Sequence, residues 1–301
     1  MSRSHAKKDR KTLSAIFSPG ADGRNGRWRM ALRGRWLLTI AVAFLLLVVL
    51  AAIFAPLLTN ADPLHINAVA RLKPPSAAHW FGTDTMGRDL YARVLYGART
   101  SLVVGVAAST ASLTLGLLIG LVAGYFPLLD AIVMRVMDGI MSIPSIVLAV
   151  ALVAITGANI YTVLVAIVLP EFPRAVRLVR SVILGLRNEA YVEAAISLAT
   201  PPWRILLRHM LPNTLAPLIV QGSLILASAI LTEAVMSFLG VGLPPEVPSW
   251  GNIIAEGRTY FQIFPGLVFF PGVFLALTVL AINLVGDAMR DALDPKLVGK
   301  G

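Results

Sequence analysis

Five long runs of apolar residues without charge dominate the chain. They cover residues 36–58, 100–129, 139–170, 213–245 and 261–286, and only Glu233 interrupts them. A helix needs about 20 apolar residues to cross the hydrocarbon core of a bilayer, so each run is long enough to span a membrane. None shows the ten-residue alternation of a membrane-spanning strand, which favours helices over a β-barrel.

The third run is too long for one span and predicts two helices. At 1.5 Å per residue it would reach roughly 48 Å, and the segment Thr-Gly-Ala-Asn at 156–159 can break it. Six spans place most of the 26 Lys and Arg residues in the cytoplasm, as the positive-inside rule requires, whereas five do not. The sequence therefore predicts an all-α integral membrane protein with six transmembrane helices and cytoplasmic termini.

The composition excludes an ordinary soluble enzyme. The chain is 57% hydrophobic and 14% charged, with a net charge of +10, whereas a soluble domain is about 25% charged. Cysteine is absent, which excludes disulfides, and the histidines lack the spacing of metal ligands, so no metal is expected. No Gly-x-x-x-x-Gly-Lys-Ser/Thr phosphate loop occurs, so the chain cannot be its own ATPase. No nucleic-acid partner is expected.

Small residues recur at every fourth position of the second run. Gly116, Gly120 and Gly124 continue a stripe that begins at Ala108 and Ser112. This spacing places them on one helix face, where another backbone can approach closely. We expect the stripe to pack against another helix, either within the chain or across a subunit interface.

A few polar residues lie within or beside the apolar runs. Glu233 is the only carboxylate deep in such a run, and intramembrane carboxylates face a cavity or a partner. We expect a structural role, with contact to a substrate amine in the pathway as the alternative. Gln221 and Asn283 are expected to form interhelical hydrogen bonds, with a pathway role as the alternative. Glu171 and Arg174 could form an ion pair.

A polar block at 82–89 follows the first run on the external side. It contains Asp84, Arg88 and Asp89, and Trp250 follows a Pro-rich segment on the same side. A self-contained polar turn is one interpretation of the block. The alternative is contact with an external partner, with Trp250 resting at the membrane interface, where indole rings prefer to sit.

The connection at 171–212 is long and basic. Residues 188–199 have good helix propensity, and Thr200 can cap a second helix over 203–210, whose first turn tolerates Pro201 and Pro202. Two short helices at an angle suit docking of a cytoplasmic partner. A solvated loop is the alternative.

Several blocks of residues resemble the C-type permease of dipeptide, oligopeptide and nickel ABC importers. Glu193-Ala194-Ala195 with Leu211-Pro212 is similar to that family's coupling motif, which reads Glu-Ala-Ala, three residues, Gly, nine residues, Ile-x-Leu-Pro. The other blocks are Phe-Gly-Thr-Asp-Thr-Met-Gly-Arg-Asp at 81–89, Tyr-Gly-Ala-Arg-Thr-Ser-Leu at 96–102, Leu-Thr-Glu-Ala at 231–234, Ser-Phe-Leu-Gly at 237–240 and Pro-Ser-Trp-Gly at 248–251. The likeness runs from about residue 30 to Pro295.

The chain departs from the coupling motif at two positions. Ala199 replaces its glycine and His209 its isoleucine. If the glycine position must be left-handed, alanine there costs about 1 kcal/mol. The departure affects the expected angle between the two short helices.

The resemblance implies an ABC type I importer permease fold in the bacterial inner membrane and no enzymatic activity in this chain. It implies a homologous second permease, two cytoplasmic ATPases that bind ATP and Mg, and an external substrate-binding protein, with no cofactor here. Coupling to the ATPases would rest on Tyr191, Glu193, Ala194, Ala195, Ala199, Leu211 and Pro212. The implied substrates are di- or oligopeptides, with nickel or glutathione-like compounds as alternatives. A secondary transporter is a further alternative, but no inverted repeat supports it.

These inferences divide the chain into five parts. They are a basic cytoplasmic arm without stable structure at 1–35, a first transmembrane helix at 36–58, an external loop at 59–99, a five-helix core at 100–288 with the coupling loop at 181–212, and a cytoplasmic tail at 289–301.

Overall fold

A computed structural model of the chain describes residues 22–293, which form helices joined by loops. In chain order, the α-helices are α1 (Asp22–Ile53), α2 (Ala55–Leu58), α3 (Leu90–Tyr125), α4 (Pro127–Met141), α5 (Ser145–Thr156), α6 (Ile160–Leu186), α7 (Ala190–Ser197), α8 (Pro202–Ile205), α9 (Leu211–Phe238), α10 (Trp250–Gly257) and α11 (Gly266–Leu293). Two 3₁₀ turns cover Ala68–Ala70 and Arg258–Tyr260, and a π-helical segment covers Leu206–Met210.

The first helix begins earlier than the apolar pattern predicts. An arm without stable structure over 1–35 is wrong for residues 22–35, because α1 starts at Asp22. Arg, Met, Ala and Leu are good helix formers, and extending an existing helix costs far less than nucleating one. Residues 1–21 lie outside the described part of the chain. The predicted tail starts inside α11, and its residues 294–301 also lie outside.

The break in the third apolar run is where the sequence predicts it. Helix α5 ends at Thr156, and Gly157 follows with a φ of 87°, a conformation that glycine adopts without steric cost. Asn159 then caps α6: its side chain accepts from the Tyr161 N–H at 3.0 Å, and Thr162 completes a capping box. Two separate helices therefore replace one long span.

The number of spans is lower than six when the described helices are judged by length and apolarity. Trp36–Ile53 of α1, all of α3, the continuous helix Pro202–Phe238 and α11 qualify. A fifth span results if α4 and α5, bent by 84°, are counted together. Helix α6 does not qualify, because Glu171 and three arginines lie between positions 171 and 180. The all-helical membrane architecture is confirmed, but the count of six is not.

Helix α3 packs along α6 through the predicted stripe of small residues. A Cβ at Gly120 would lie 2.7 Å from the Val179 Cβ, and one at Gly124 would lie 2.7 Å from the Ile183 Cβ. Gly116 faces Ala175 in the same way. Both helices therefore present residues at four-residue spacing, and the backbones approach closely without hydrophobic bulk between them. The stripe packs within the chain, as in the first of the two predicted alternatives.

Helix α9 lies between several other helices. It meets α3 where the Ser109 hydroxyl donates to the Gly222 carbonyl at 3.0 Å, and Ile230 of α9 packs against Gly105. On another side, Ala227 and Ile230 share an apolar cluster with Ile282 of α11. Helix α9 is therefore held between α3 and α11.

Candidate functional site

The segment between α6 and α9 folds into a compact two-helix unit, here called the coupling element (residues 190–210). Helix α7 covers Ala190–Ser197, slightly less than the predicted 188–199. After a turn, Pro201 and Pro202 open α8, where their missing N–H groups need no partner. The sequence therefore predicts the bounds of α7 to within two residues.

Ala199 forms the turn between the two short helices. Its φ is 52°, in the left-handed region, and the Thr200 N–H returns to the Ala195 carbonyl at 3.0 Å. The position thus keeps the backbone conformation that the motif's glycine would adopt freely. Alanine does so at a cost of about 1 kcal/mol.

The second short helix does not end at Leu211-Pro212. The backbone continues through the π-helical segment into α9, so a helix over 203–210 that stops at Pro212 is wrong. A proline ring clashes with the carbonyl four residues earlier in a regular helix. The wider π turn just before Pro212 relieves that clash and lets the helix continue.

One face of the coupling element is buried against the transmembrane helices. Val192 and Ala195 of α7 join Ile205 and Met210 in an apolar cluster. Leu121 of α3 and Ile183 of α6 belong to the same cluster, together with Leu218 of α9. The element is therefore fixed to three of the long helices, and a displacement of it would act on all three.

The opposite face of the coupling element exposes large apolar side chains. The exposed fractions are 44% for Tyr191, 51% for Ile196, 81% for Leu198, 58% for Trp203 and 54% for Leu207. Glu193 and Ala194 are exposed among them, while the Tyr191 ring lies 6.2 Å from the His209 ring. Contiguous exposed apolar side chains outside a lipid-facing span mark a surface that binds another protein.

Glu233 is completely buried and is held by hydroxyl groups of this chain. Ser249 Oγ donates to its carboxylate at 2.8 Å, Ser237 Oγ at 2.9 Å and Ser101 Oγ at 3.3 Å. The three serines come from the loop before α10, from α9 and from α3. This arrangement favours the structural alternative over contact with a substrate amine.

The milder polar residues lie on α9 and α11. Asn283 Nδ2 donates to the Val279 carbonyl of its own helix at 3.0 Å, and the interhelical bond expected for it stays a prediction. Gln221 is half-buried on α9. Glu171 and Arg174 form the predicted ion pair at 3.1 Å, and Ser228 Oγ donates to Glu171 at 2.8 Å.

The predicted external contacts are buried instead in a charge cluster (Asp84, Arg88, Arg93 and Glu256). Arg88 Nε and Arg93 Nη1 each lie 2.6 Å from Asp84 Oδ2. Glu256 accepts from Arg88 Nη2 at 2.7 Å and from Arg93 Nη1 at 2.6 Å. Two carboxylates thus neutralise two guanidinium groups, as a buried charge requires.

Asp89 also faces inward, at the start of α3. Its carboxylate caps the helix by accepting from the Ala92 N–H at 2.8 Å, and His79 Nδ1 lies 2.8 Å from its other oxygen. Asp84, Arg88 and Asp89 are therefore at most 8% exposed, so their assignment as partner contacts is wrong. Block 82–89 is not a self-contained turn either, because Asp84 pairs with Arg93 of α3 and Arg88 with Glu256 of α10.

Trp250 does not rest at a membrane interface. Its side chain is fully buried, and Nε1 donates to the Val94 carbonyl of α3 at 3.1 Å. Asn252 Nδ2 of α10 donates to the Leu243 carbonyl at 3.1 Å, which ties the segment 243–249 to the start of α10. The predicted contact of Trp250 with an external partner is therefore wrong.

Sequence reasoning missed Arg93 and Glu256, the residues that complete the charge cluster. The two are 163 positions apart, and neither belongs to a motif quoted above. The only signal was a lone arginine placed just before an apolar run. Sequence reasoning also missed four exposed apolar side chains of the coupling element, because their exposure depends on which face of each short helix is buried. They are Ile196, Leu198, Trp203 and Leu207.

The described residues form a multi-pass membrane protein whose coupling element, between two long helices, carries an outward apolar surface. Residues 113–299 match the protein family described as binding-protein-dependent transport system inner membrane component. The chain belongs to that family.

Two relatives with similar sequences are transport permeases by name. The probable peptide ABC transporter permease protein y4tQ of Sinorhizobium fredii is 51% identical over 82% of this chain and 84% of its own length. The dipeptide transport system permease protein DppC of Alkalihalophilus pseudofirmus is 45% identical over 83% of this chain and 82% of its own length.

A solved structure shares the fold. It is a chain of the MetNI methionine ABC transporter in an inward-facing conformation, with a TM-score of 0.54 and 19% identity. The match covers 67% of this chain and 96% of the solved one. At that identity the likeness shows the fold alone.

Proposed function

We propose that the chain is the permease subunit of an ATP-driven importer of di- or oligopeptides. It forms the pathway together with a homologous second permease, receives peptide from an external binding protein, and couples to two cytoplasmic ATPases through residues 190–212. ATP and Mg are bound by the ATPases.

The outward apolar face of the coupling element carries this proposal. Five large apolar side chains on it are 44–81% exposed, and the element is attached on its other face to α3, α6 and α9. An ATPase groove that covers this face would remove the apolar side chains from water. The same contact would pass movement of the ATPases to the spans. The chain itself has no phosphate loop with which to bind ATP.

The proposed orientation follows from charge. The basic N-terminal segment, the coupling element and the C-terminal segment lie in the cytoplasm of a bacterial cell, as the positive-inside rule favours. The segment between α1 and α3 and the loop that carries α10 are then external. The pathway is shared with the second permease, and the five-helix core at 100–288 lines this chain's part of it.

The proposed substrate class follows the names of the relatives, which are peptide and dipeptide permeases. Nickel complexes and glutathione-like compounds stay as alternatives that a binding assay separates. The binding protein that copurifies with the complex would be titrated with dipeptides, longer peptides, glutathione and Ni²⁺. Tightest binding of a peptide supports the proposal. Tighter binding of glutathione or Ni²⁺ would contradict the peptide substrate and assign that compound instead.

The central experiment tests coupling through Glu193. The complex is extracted mildly from its native membrane, and copurifying proteins are identified by mass spectrometry. Recovery of one homologous permease and two ATPases is expected.

Glu193→Lys reverses a charge on the docking face and should abolish substrate-stimulated ATP hydrolysis and uptake. Glu246→Lys, also exposed but far from this face, should preserve both. Full activity of Glu193→Lys, or recovery of this chain without any ATPase, would contradict the proposal.

A further inference from the structure

Two arginine–aspartate pairs join α4 to the C-terminal half of α6. Arg180 holds both carboxylate oxygens of Asp130, with Nη2 at 2.7 Å from Oδ2 and Nε bonded to Oδ1. Arg177 Nη2 lies 2.5 Å from Asp138 Oδ1. The aspartates are eight positions apart along α4, so the pairs fix both ends of one helix face rather than a single point.

An apolar contact lies beside the two pairs. Met137 of α4 is buried in a cluster with Phe172 and Val176 of α6. Val133 and Ile140, one turn to either side, pack against the same cluster. The apolar contact holds the two helices together but does not fix their relative position along the axis. The two hydrogen bonds from Arg180 to Asp130 fix that register.

The paired part of α6 leads directly into the coupling element. Ile183, one turn beyond Arg180, belongs to the apolar cluster that holds Val192 and Ala195 of α7. Only three residues separate the end of α6 at Leu186 from the start of α7 at Ala190. A movement of α7 therefore acts first on the turns of α6 that carry Arg177 and Arg180.

The far end of α4 is a bend. The chain turns by 84° between Met141 and Ser145, and α5 then packs on the opposite half of α6. There, Ala149 and Val153 contact Val163 and Ala166. Helix α4 is thus anchored to the coupling end of α6, while α5 is anchored to the other end, with the bend between them.

We propose that the pairs Asp130–Arg180 and Asp138–Arg177 make α4 move as one body with α6 and the coupling element, so that displacement by the ATPases changes the bend between α4 and α5. This inference rests on the proposed function. The four charged side chains are positioning residues, since they act through helix placement. Isolated exposed ion pairs contribute little to stability. Two such pairs along α4 nevertheless bind it to α6, so that a displacement of α6 displaces α4 as well.

The first test measures how much peptide is transported per ATP hydrolysed by the whole reconstituted importer. The double variant Asp130→Asn/Asp138→Asn keeps side-chain size and removes both pairs. We expect its ratio of peptide transported to ATP hydrolysed to fall about threefold or more, with the amount of bound ATPase unchanged. Arg135→Gln is the matched control, because Arg135 is exposed on the same helix and forms no ion pair among the described residues; its ratio should equal that of the wild type.

The outcomes separate the two proposals. If the wild-type complex couples ATP hydrolysis to uptake and the double variant keeps the wild-type ratio, the role of the pairs is wrong and the proposed function stands. If the wild-type complex contains no ATPase, both are wrong. A loss of complex that lowers uptake and hydrolysis in proportion indicates a merely structural role and also contradicts the inference.

A second measurement does not depend on the double variant folding. The sequence contains no cysteine, so spin labels can be placed at Val136→Cys on α4 and Ser197→Cys on α7, both exposed. The distance between them should stay constant when ATP is added to the otherwise unchanged complex. The distance from Val136→Cys to Ile155→Cys at the end of α5 should change. Movement of α4 relative to α7 would overturn the inference.

Discussion

Four charged side chains are turned inward at the N-terminal end of α3, whereas five large apolar side chains are turned outward near its C-terminal end. The charge cluster satisfies Asp84 and Glu256 with arginines of the same chain. The coupling element leaves Leu198 and Trp203 uncovered. The first arrangement joins residues of this chain to one another, and the second leaves an apolar surface that the described residues do not cover. Hydropathy alone would have placed the charged side chains at the surface and the large apolar side chains in the interior of the fold.

The largest expected effect is on stability, at the charge cluster. Arg93→Ala leaves Asp84 and Glu256 with one arginine between them, and breaking a buried ion pair costs about 3–5 kcal/mol. The melting temperature in detergent should fall strongly. Arg99→Ala is the control, since Arg99 is exposed on the same helix. Equal melting temperatures for the two variants would show that the cluster does not stabilise the fold.

A smaller effect, of opposite sign, is expected at the turn of the coupling element. Ala199→Gly removes the cost of a left-handed alanine and should raise stability by about 1 kcal/mol. Ala194→Gly, inside α7, should lower it by about 1 kcal/mol. Thermal unfolding of both variants measures the difference. A destabilised Ala199→Gly would mean that the turn does not require the φ of 52° found here.

The smallest effect on stability is expected on the exposed face of the coupling element. Leu198→Ser should change the free energy of unfolding by less than about 0.5 kcal/mol, because the side chain has few contacts to lose. The amount of ATPase that copurifies should nevertheless fall. Val69→Ser, which is 85% exposed on the segment before α3, should leave that amount unchanged. A reduced melting temperature for Leu198→Ser with full ATPase retention would reverse the comparison.

Local signals in the sequence account for most of the elements. Gly157 and Asn159 carry the conformations that end one helix and begin the next, so the break between α5 and α6 is predictable. The small-residue stripe on α3 similarly requires a close helix, and α6 supplies it. Helix α1 starts upstream of the apolar run because arginine continues a helix readily, and hydropathy does not register that extension.

Long-range contacts account for the errors. The loop before Trp250 folds back, so that the indole reaches the Val94 carbonyl. No residue near Trp250 in the sequence predicts that contact. Arg93 and Glu256 are far apart in the chain, and each alone resembles a solvated charge. The coupling element was predictable from its motif, but the identity of its uncovered side chains required knowing that Val192 and Ala195 point inward.

The continuous helix from Pro202 to Phe238 has 37 residues and is therefore about 55 Å long. The hydrocarbon core of a bilayer measures only about 30 Å, so a large part of this rod stands outside it. Hydrophobic mismatch can then be absorbed by tilt without drawing Trp203 into the lipid. Docking at this surface should therefore be insensitive to acyl-chain length, even in membranes whose thickness alters the packing of the shorter spans.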